Sequence, residues 1–365
     1  MSAFAVLGSR IHTINAVAPP TPRQRPGRVR LADVAAAAGV DTSTASRVLR
    51  NEKQRITGDA RARILRAAAD LGYVANANAR SLRSRRTMTL GLLVPQVAGA
   101  VYADVIRGAT IAAREAGYIM VIIDAGAIGT AKDAFDALIL EGRVDGMLIA
   151  SGTVTDSLDD EMLVESGRCV VVNRLIRGGM PSVIEDDEAG MRLGVEELIR
   201  LGHRRIAFLA GPPDIDTSRR RLAGYRAAMS AAGLRVPRTY VDHAGYTEQE
   251  GFAGMERLLG QPKVPTAVAS ASIAASVGAL AACRHLGVDV PRDLSVVSFH
   301  DAPLAGLLSP PLTTVHMPLE ELGVQATRLL IDLLDGSPVP QTLKVTEPAP
   351  RLVDRGSTAA PSKSE

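Results

Sequence analysis

Residues 29–82 read VRLADVAAAAGVDTSTASRVLRNEKQRITGDARARILRAAADLGYVANANARSL, and the first half of this stretch decides what kind of chain this is. Leu31, Val34, Ala35 and Ala38 recur at helical spacing, and Gly39 follows as a residue able to end a helix at positive φ. Asp41 then supplies an N-cap for a second helix, Thr42–Leu49, whose Ala45, Val48 and Leu49 face inward. Two short helices joined by a tight glycine-containing turn form a helix-turn-helix, whose second helix lies in the major groove of DNA. The outer face of that helix carries Thr42, Ser43, Ser46 and Arg47. Arginine can grip guanine bidentately, and hydroxyls reach bases or phosphates. A third helix is expected with Asp59 near its start, Ile64, Leu65, Ala68 and Leu71 on one side, and Gly72 at its close. An arbitrary alanine-rich bundle would not gather its polar side chains on one helix face.

Charge follows the same division. Residues 1–86 hold sixteen Lys and Arg against five Asp and Glu, a net of +11, whereas the rest of the 365-residue chain has a net of −8. A basic unit joined to an acidic body suits a polyanion-binding head on a sensor. Upstream, residues 1–28 hold Pro19, Pro20, Pro22, Pro26 and Gly27 among scattered arginines, and read as a flexible arm. Downstream, from Met88, short apolar runs alternate with helical stretches: TLGLLVP, a helix at 103–116, YIMVIIDAG, a helix at 131–141, VDGMLIAS, CVVVNR, a helix at 189–201, RIAFLAG, a helix at 218–232, AVASAS, a helix at 274–286, and LSVVSFHD. Strands alternating with helices imply parallel sheets covered on both faces, with ligands beyond the carboxyl ends of the strands.

The patterns DVAAAAGV…TASRVL and LGYVANANARSL resemble the DNA-binding domain of the lactose/galactose repressor family, and the resemblance runs on to about Ser357 through EAGYIMVIID, RVDGMLIAS, DDEAGMRLGVEELIRLGHRRIAFLAGP and GVDVPRDLSVVSFHDAPLAGLLSPPLTTV. It implies an all-α helix-turn-helix head on an α/β body of the periplasmic-binding-protein-like (type I) class, two lobes with parallel sheets and a small-molecule effector between them. The implied parts are an arm at 1–28, a DNA-binding domain at 29–75, a hinge helix and linker at 76–87, an effector and dimerisation domain at 88–357, and a disordered tail at 358–365. Within the body, the implied lobes are 88–187 with the segment after about Pro318, and 188–315 with a last strand near 345–353. By position, Thr42, Ser43 and Arg47 read bases. The resemblance also implies that Asn76, Ala79 and Leu82 belong to a hinge that orders on operator DNA, with Leu82 as the leucine wedged into the minor groove. The effector pocket would include Tyr102, Asn173, Arg221, Tyr246, Ser272 and His300.

Departures from the family pattern sharpen the expectation. Asp41 stands where serine is usual, and Ala75 where proline is common before the hinge asparagine. Ser272-Ile273 replaces an Asn-Asp pair, and His300 replaces an aspartate in the SFHD turn. Loss of acceptors beside a retained Arg221 predicts an anionic effector, or at least not an ordinary neutral sugar. The implied protein is a cytoplasmic homodimeric repressor whose partners are double-stranded operator DNA and the effector.

Several classes are disfavoured. No apolar run approaches the roughly 18 residues of a membrane helix, and the N-terminus lacks a signal-peptide pattern. Cys169 and Cys283 are too few for a disulfide framework or zinc site, and six scattered histidines show no ligand spacing, so no metal and no cofactor is expected. No nucleotide-binding, GxSxG or HExxH pattern appears, so no catalytic residue is assigned. The run from Glu185 to Glu188 reads as a strand end and helix start. A solute-binding protein or a sugar-processing α/β enzyme are the competing readings, and neither explains the basic head.

Overall fold

The computed structural model describes residues 29–49, 56–73, 86–97, 99–128, 133, 135–150, 164–175 and 179–362, in two compact units, 1–77 and 78–365. The expected arm, the hinge residues Asn76, Ala79 and Leu82, and residues 363–365 lie outside the described residues.

Among the described residues, the head has three helices: α1 (Leu31–Ala38), α2 (Thr42–Leu49) and α3 (Gly58–Asp70). Gly39 ends α1 with φ at 62°, the left-handed conformation that glycine adopts without a Cβ clash. Asp41 caps α2, its carboxylate accepting the Thr44 amide at 2.9 Å. Val34, Ala35, Ala38, Ala45, Val48, Ile64, Ala67 and Ala68 form the core. Leu65 and Leu71 are exposed, contrary to the expectation of an inner face. From Ile64 the helical period leads to Ala67 and Ala68, and Leu65 is turned about 100° away. Leu71 sits just past the last turn, as the C-cap residue of α3.

The body contains two six-stranded sheets. The first runs β11-β5-β4-β3-β1-β2, all parallel, from β1 (Thr89–Val94), β2 (Ile119–Asp124), β3 (Gly146–Ile149), β4 (Cys169–Val172), β5 (Ser182–Glu185) and β11 (Thr342–Val345). The second runs β12-β10-β9-β8-β6-β7, from β6 (Ile206–Ala210), β7 (Val241–His243), β8 (Ala267–Ser270), β9 (Ser295–Phe299), β10 (Thr313–His316) and β12 (Arg351–Val353), with only β12 antiparallel. Helices α4 (Ala100–Glu115) and α9 (Leu319–Leu334) pack on each other, and α9 covers β3, β4 and β5. On the second sheet lie α5 (Asp187–Arg200), α6 (Asp216–Ala231), α7 (Glu248–Leu259) and α8 (Ile273–His285). Within the expected helix at 131–141, residues 133 and 135 are α-helical and Asp136–Leu140 continue as a wider helical turn, while 131, 132 and 134 lie outside the described residues. Helix α7 and strand β7 are absent from the sequence expectations, because the polar run HAGYTEQEGF hides a short apolar face.

Among the described residues the chain crosses between lobes three times: from β5 into α5 at Glu185–Asp187, from β10 into α9 at His316–Leu319, and from β11 to β12 at Val345–Arg351. The first crossing is buried, with Glu185 and Asp187 both at 0% exposure. The expected disordered tail requires correction for its first residues. His203 Nε2 lies 2.8 Å from the Ala359 carbonyl, the Ala359 amide donates to Ser295 Oγ at 3.0 Å, and Ser357 is fully buried. Backbone groups that find such partners are held against the second lobe, whatever the polarity of their neighbours.

Candidate functional site

On the head, Thr42, Ser43 and Arg47 are exposed and Ser46 half-buried, while Ala45 and Val48 face the core. Spacing of three and four residues puts the four polar side chains on one helix face. Asp41 modifies that face. Its carboxylate accepts Ser43 Oγ at 2.5 Å and Thr44 Oγ1 at 2.6 Å, and these hydrogen bonds hold its pKa far below the usual carboxylate range. Ser43 therefore spends its proton inside the helix turn and presents acceptor lone pairs outward.

In the body, the site grows from the first crossing. Asp186 caps α5 by accepting the Ala189 amide at 3.1 Å, which puts Asp187 in the first helical turn and leaves Glu185 as the last residue of β5. Helix α6 comes close to α5 because residue 224 is glycine. A Cβ there would lie 2.3 Å from the Glu188 carbonyl oxygen. This approach brings Arg220 and Arg221 onto the acidic crossing.

Arg221 is 3% exposed and its donors are largely occupied. Nε donates to Asp187 Oδ1 at 2.6 Å, Nη1 donates to the Ala271 carbonyl at 2.8 Å, and Nη2 lies 3.6 Å from Glu185 Oε1. The guanidinium carbon stands 4.2 Å from the Phe299 ring centre and 5.8 Å from that of Tyr246. Cation–π attraction at a desolvated site adds to these contacts. Arg220 ties the lobes together. It donates to Asp216 at 2.9 Å, to the carbonyls of Glu185 at 2.9 Å and Asn173 at 3.3 Å, and to Asp187.

His300 closes the set, with φ at 68° and 2% exposure. Its Nε2 lies 2.9 Å from Glu185 Oε1. Burial, reinforced by Arg221, drives the imidazole pKa well below its ordinary value, so the ring is neutral. Burial lifts the Glu185 carboxyl to about 7, against the pull of Arg221 and Arg220. Glu185 Oε2, His300 Nδ1 and Asn173 Oδ1 are buried without a hydrogen-bond partner among the described residues. Unsatisfied buried acceptors are rare and costly, and they gather here at one spot.

The remaining expected residues divide. Tyr102 on α4 feels the charge of Arg221, and burial pushes its phenol up to about 12. Tyr246 shares a 3.0 Å hydrogen bond with Thr217 and faces Arg221. Ser272 is engaged as the cap of α8, accepting the Ala275 amide at 3.1 Å. Sequence reasoning missed Glu185, Asp187, Asp216 and Arg220. The available signals were an acid ending the otherwise apolar strand SVIE and a second arginine beside Arg221. Among the described residues, no group of three His, Cys, Asp or Glu could hold a metal ion, and no helix is long and apolar enough to cross a membrane.

Comparison with known proteins joins the two units. Residues 30–76 match the model of bacterial regulatory proteins, lacI family, and residues 195–358 match a periplasmic binding protein-like domain. The HTH-type transcriptional regulator MalR of Streptomyces coelicolor is 35% identical over 91% of this chain and 97% of its own length. The ribose operon repressor of Escherichia coli is 34% identical over 89% and 98%. A crystal structure of the lac repressor dimer bound to operator and the anti-inducer ONPF superposes with a TM-score of 0.76 at 28% identity, covering 91% of this chain and 99% of that one. A helix-turn-helix head carrying a two-lobed α/β body, matched along nearly its whole length by such relatives, makes this chain a member of the lacI family of bacterial regulatory proteins, a DNA-binding transcriptional regulator.

Proposed function

We propose that this regulator is a cytoplasmic repressor that grips a palindromic operator as a homodimer, and that a small uncharged molecule held between the lobes changes that grip. Thr42, Ser43, Ser46 and Arg47 contact the major groove, and Asn76, Ala79 and Leu82 serve the hinge. Exposed apolar side chains in the body, among them Ile119 at 68% and Leu307 at 83%, suit a two-fold interface. Names among the relatives, a ribose operon repressor and an operator-bound repressor dimer with an anti-inducer, support the same reading. Effector binding acts by favouring one arrangement of the lobes over another. The relatives are transcriptional regulators, and no catalytic role is proposed for this chain.

The buried cluster at the first crossing carries the effector reading. Glu185, Asp187 and Asp216 set three carboxyl groups against the two guanidiniums of Arg220 and Arg221, and the neutral His300 adds no charge. The anionic effector suggested by the sequence would need a free guanidinium edge, yet Arg221 is committed to Asp187 and Ala271. The unsatisfied oxygen of Asn173 is an acceptor, as are Glu185 Oε2 in the ionised form and His300 Nδ1 when its Nε2 carries the proton. Hydroxyl donors of a neutral sugar-like ligand complement them. Tyr102, Arg221 and Tyr246 would line the remaining wall, with Ser272 acting through the helix it caps.

Thermal-shift screening of neutral mono- and disaccharides against sugar phosphates and organic acids tests the ligand class. Stabilisation by neutral sugars is expected, and stabilisation confined to the anions would overturn it. A gel shift with DNA from upstream of the regulator's own gene tests the operator reading. Binding that shows no preference over bulk DNA at moderate salt would count against it.

A further inference from the structure

We propose that Arg86, Thr87 and Met88 form an anchored elbow, so that Asp145 and Asp335 act as positioning residues for operator binding. These three residues precede β1, yet they are held more tightly than the start of a strand requires. Arg86 Nη1 donates to Asp335 Oδ1 at 2.7 Å and to Tyr118 Oη at 3.3 Å, and Nη2 donates to the Leu334 carbonyl at 2.8 Å. Leu334 and Asp335 end α9, where carbonyls lack helical partners and the helix dipole is negative, so a guanidinium fork fits there. One residue on, Asp145 takes over. Its Oδ1 accepts the Thr87 amide at 2.6 Å and the Thr87 hydroxyl at 2.8 Å, and its Oδ2 accepts the Met88 amide at 2.9 Å.

Met88 itself has φ at 55°, a left-handed conformation that a long L side chain rarely adopts. A strand needs no such turn just before its first residue. Strained backbone persists where the surroundings over-determine it, and here Asp145 does so from a site only 9% exposed. Every partner named, Tyr118 before β2, Asp145 before β3, and Leu334 with Asp335 at the end of α9, belongs to the first lobe. The point at which the chain enters the body, Arg86–Met88, is therefore fixed on the first lobe. A fixed departure lowers the ordering cost when two heads engage one operator.

Removing an acid separates this role from plain electrostatics. Asp335→Ala and Asp145→Asn each make the protein more positive, which on charge alone strengthens binding to all DNA. The elbow predicts the opposite for operator. In the full-length chain, specific operator affinity falls about tenfold in each variant, while binding to non-specific duplex is unchanged or rises. Arg86→Lys retains part of the affinity and Arg86→Ala loses it. Asp335 is half-exposed, so its variant folds even if Asp145→Asn does not. Met88→Gly in the Asp145→Asn background relaxes the strained turn and recovers part of the loss. Fluorescence anisotropy at fixed salt, with thermal melts of each variant, reads all of this. Operator affinity at or above the parent level in Asp335→Ala overturns the proposal. So does a loss shared equally by non-specific DNA, or one accompanied by a melting drop large enough to account for it. None of these results bears on what the cleft binds.

Discussion

The proposed recognition face of α2 and the cluster between the lobes use the same side-chain chemistry under opposite solvation. Arg47 stands exposed on a helix whose other face is core, whereas Arg221 is 3% exposed with its donors committed to Asp187 and the Ala271 carbonyl. An exposed guanidinium keeps its hydrogen-bonding capacity for something outside the chain. A buried one has already spent it on the fold, and what it leaves for a ligand is the set of acceptors its neighbours cannot satisfy. The first kind of site reads by offering donors, the second by lacking them. Deleting an arginine should therefore register in binding at one site and in stability at the other.

The largest effect is expected at Arg221. Replacing it with alanine takes from Asp187 one of its two guanidinium partners and from Glu185 the nearer one, and breaking a buried pair of this kind costs about 3–5 kcal/mol. Urea unfolding of the variant should show a sharply lowered midpoint with an unchanged slope. A loss below about 1 kcal/mol would mean that the cluster is solvated like the head, and the contrast between the two regions would collapse.

Glu185 comes next, and its effect has a sign in pH. Its folded carboxyl sits at about 7, above the 4.5 of an unperturbed glutamate. Between those values the folded protein holds a proton that the unfolded chain has released, so this group's contribution to stability falls as pH rises from 4.5 and is fully lost above 7. His300 works the other way. Its depressed pKa contributes stability above 6.5 that is lost as pH falls. Comparing the parent with Glu185→Gln at pH 8 and pH 5.5 largely cancels the histidine. The variant should be more stable than the parent at pH 8, on the order of 3 kcal/mol, with the advantage shrinking to about 1 kcal/mol at pH 5.5. A difference that does not change with pH would show that Glu185 is ionised throughout and paired.

Arg47→Ala reverses the pattern of Arg221. Operator binding should weaken by about 1–3 kcal/mol with relaxed preference at one base pair, while stability stays within about 0.5 kcal/mol. Gel shifts against operators altered one position at a time would show it. Equal weakening on every sequence would reassign Arg47 to a phosphate.

The same contrast explains what could be read from the chain before its coordinates. The head is local: Gly39, Asp41 and the spacing of Ala45 and Val48 act within a turn or two, so cap, helix and outward face follow from neighbours in sequence. Leu65 misled because hydrophobicity alone does not fix which side of a helix faces inward. In the body, strand alternation was legible for the same local reason. The charged cluster was not, because Glu185 meets His300 across 115 positions and Asp187 meets Arg221 across 34. The run Glu185–Glu188 looked like a strand end followed by a helix start, and Asp186 does cap α5. Nothing in the run itself tells that its first and third members turn inward. The anionic effector was inferred from what positions 272 and 300 had lost, without sight of the acids that the crossing brings in.

The smallest effect tests whether the head is purely local. Asp41 is an ionised acid at the start of α2, the helix proposed to enter the groove, and it draws the Ser43 hydroxyl inward. Asp41→Ser keeps a side-chain oxygen to cap the Thr44 amide, so the melting temperature should stay unchanged. It removes one negative charge from the DNA side and frees Ser43 to donate. Operator binding should tighten about two- to fivefold at low salt, with the gain shrinking as salt screens the phosphates. If binding weakens instead, the Asp41–Ser43 hydrogen bond is part of the recognition surface. Ser43 must then be presented to the base as an acceptor, and the head, like the cleft, would read its partner partly through what it withholds.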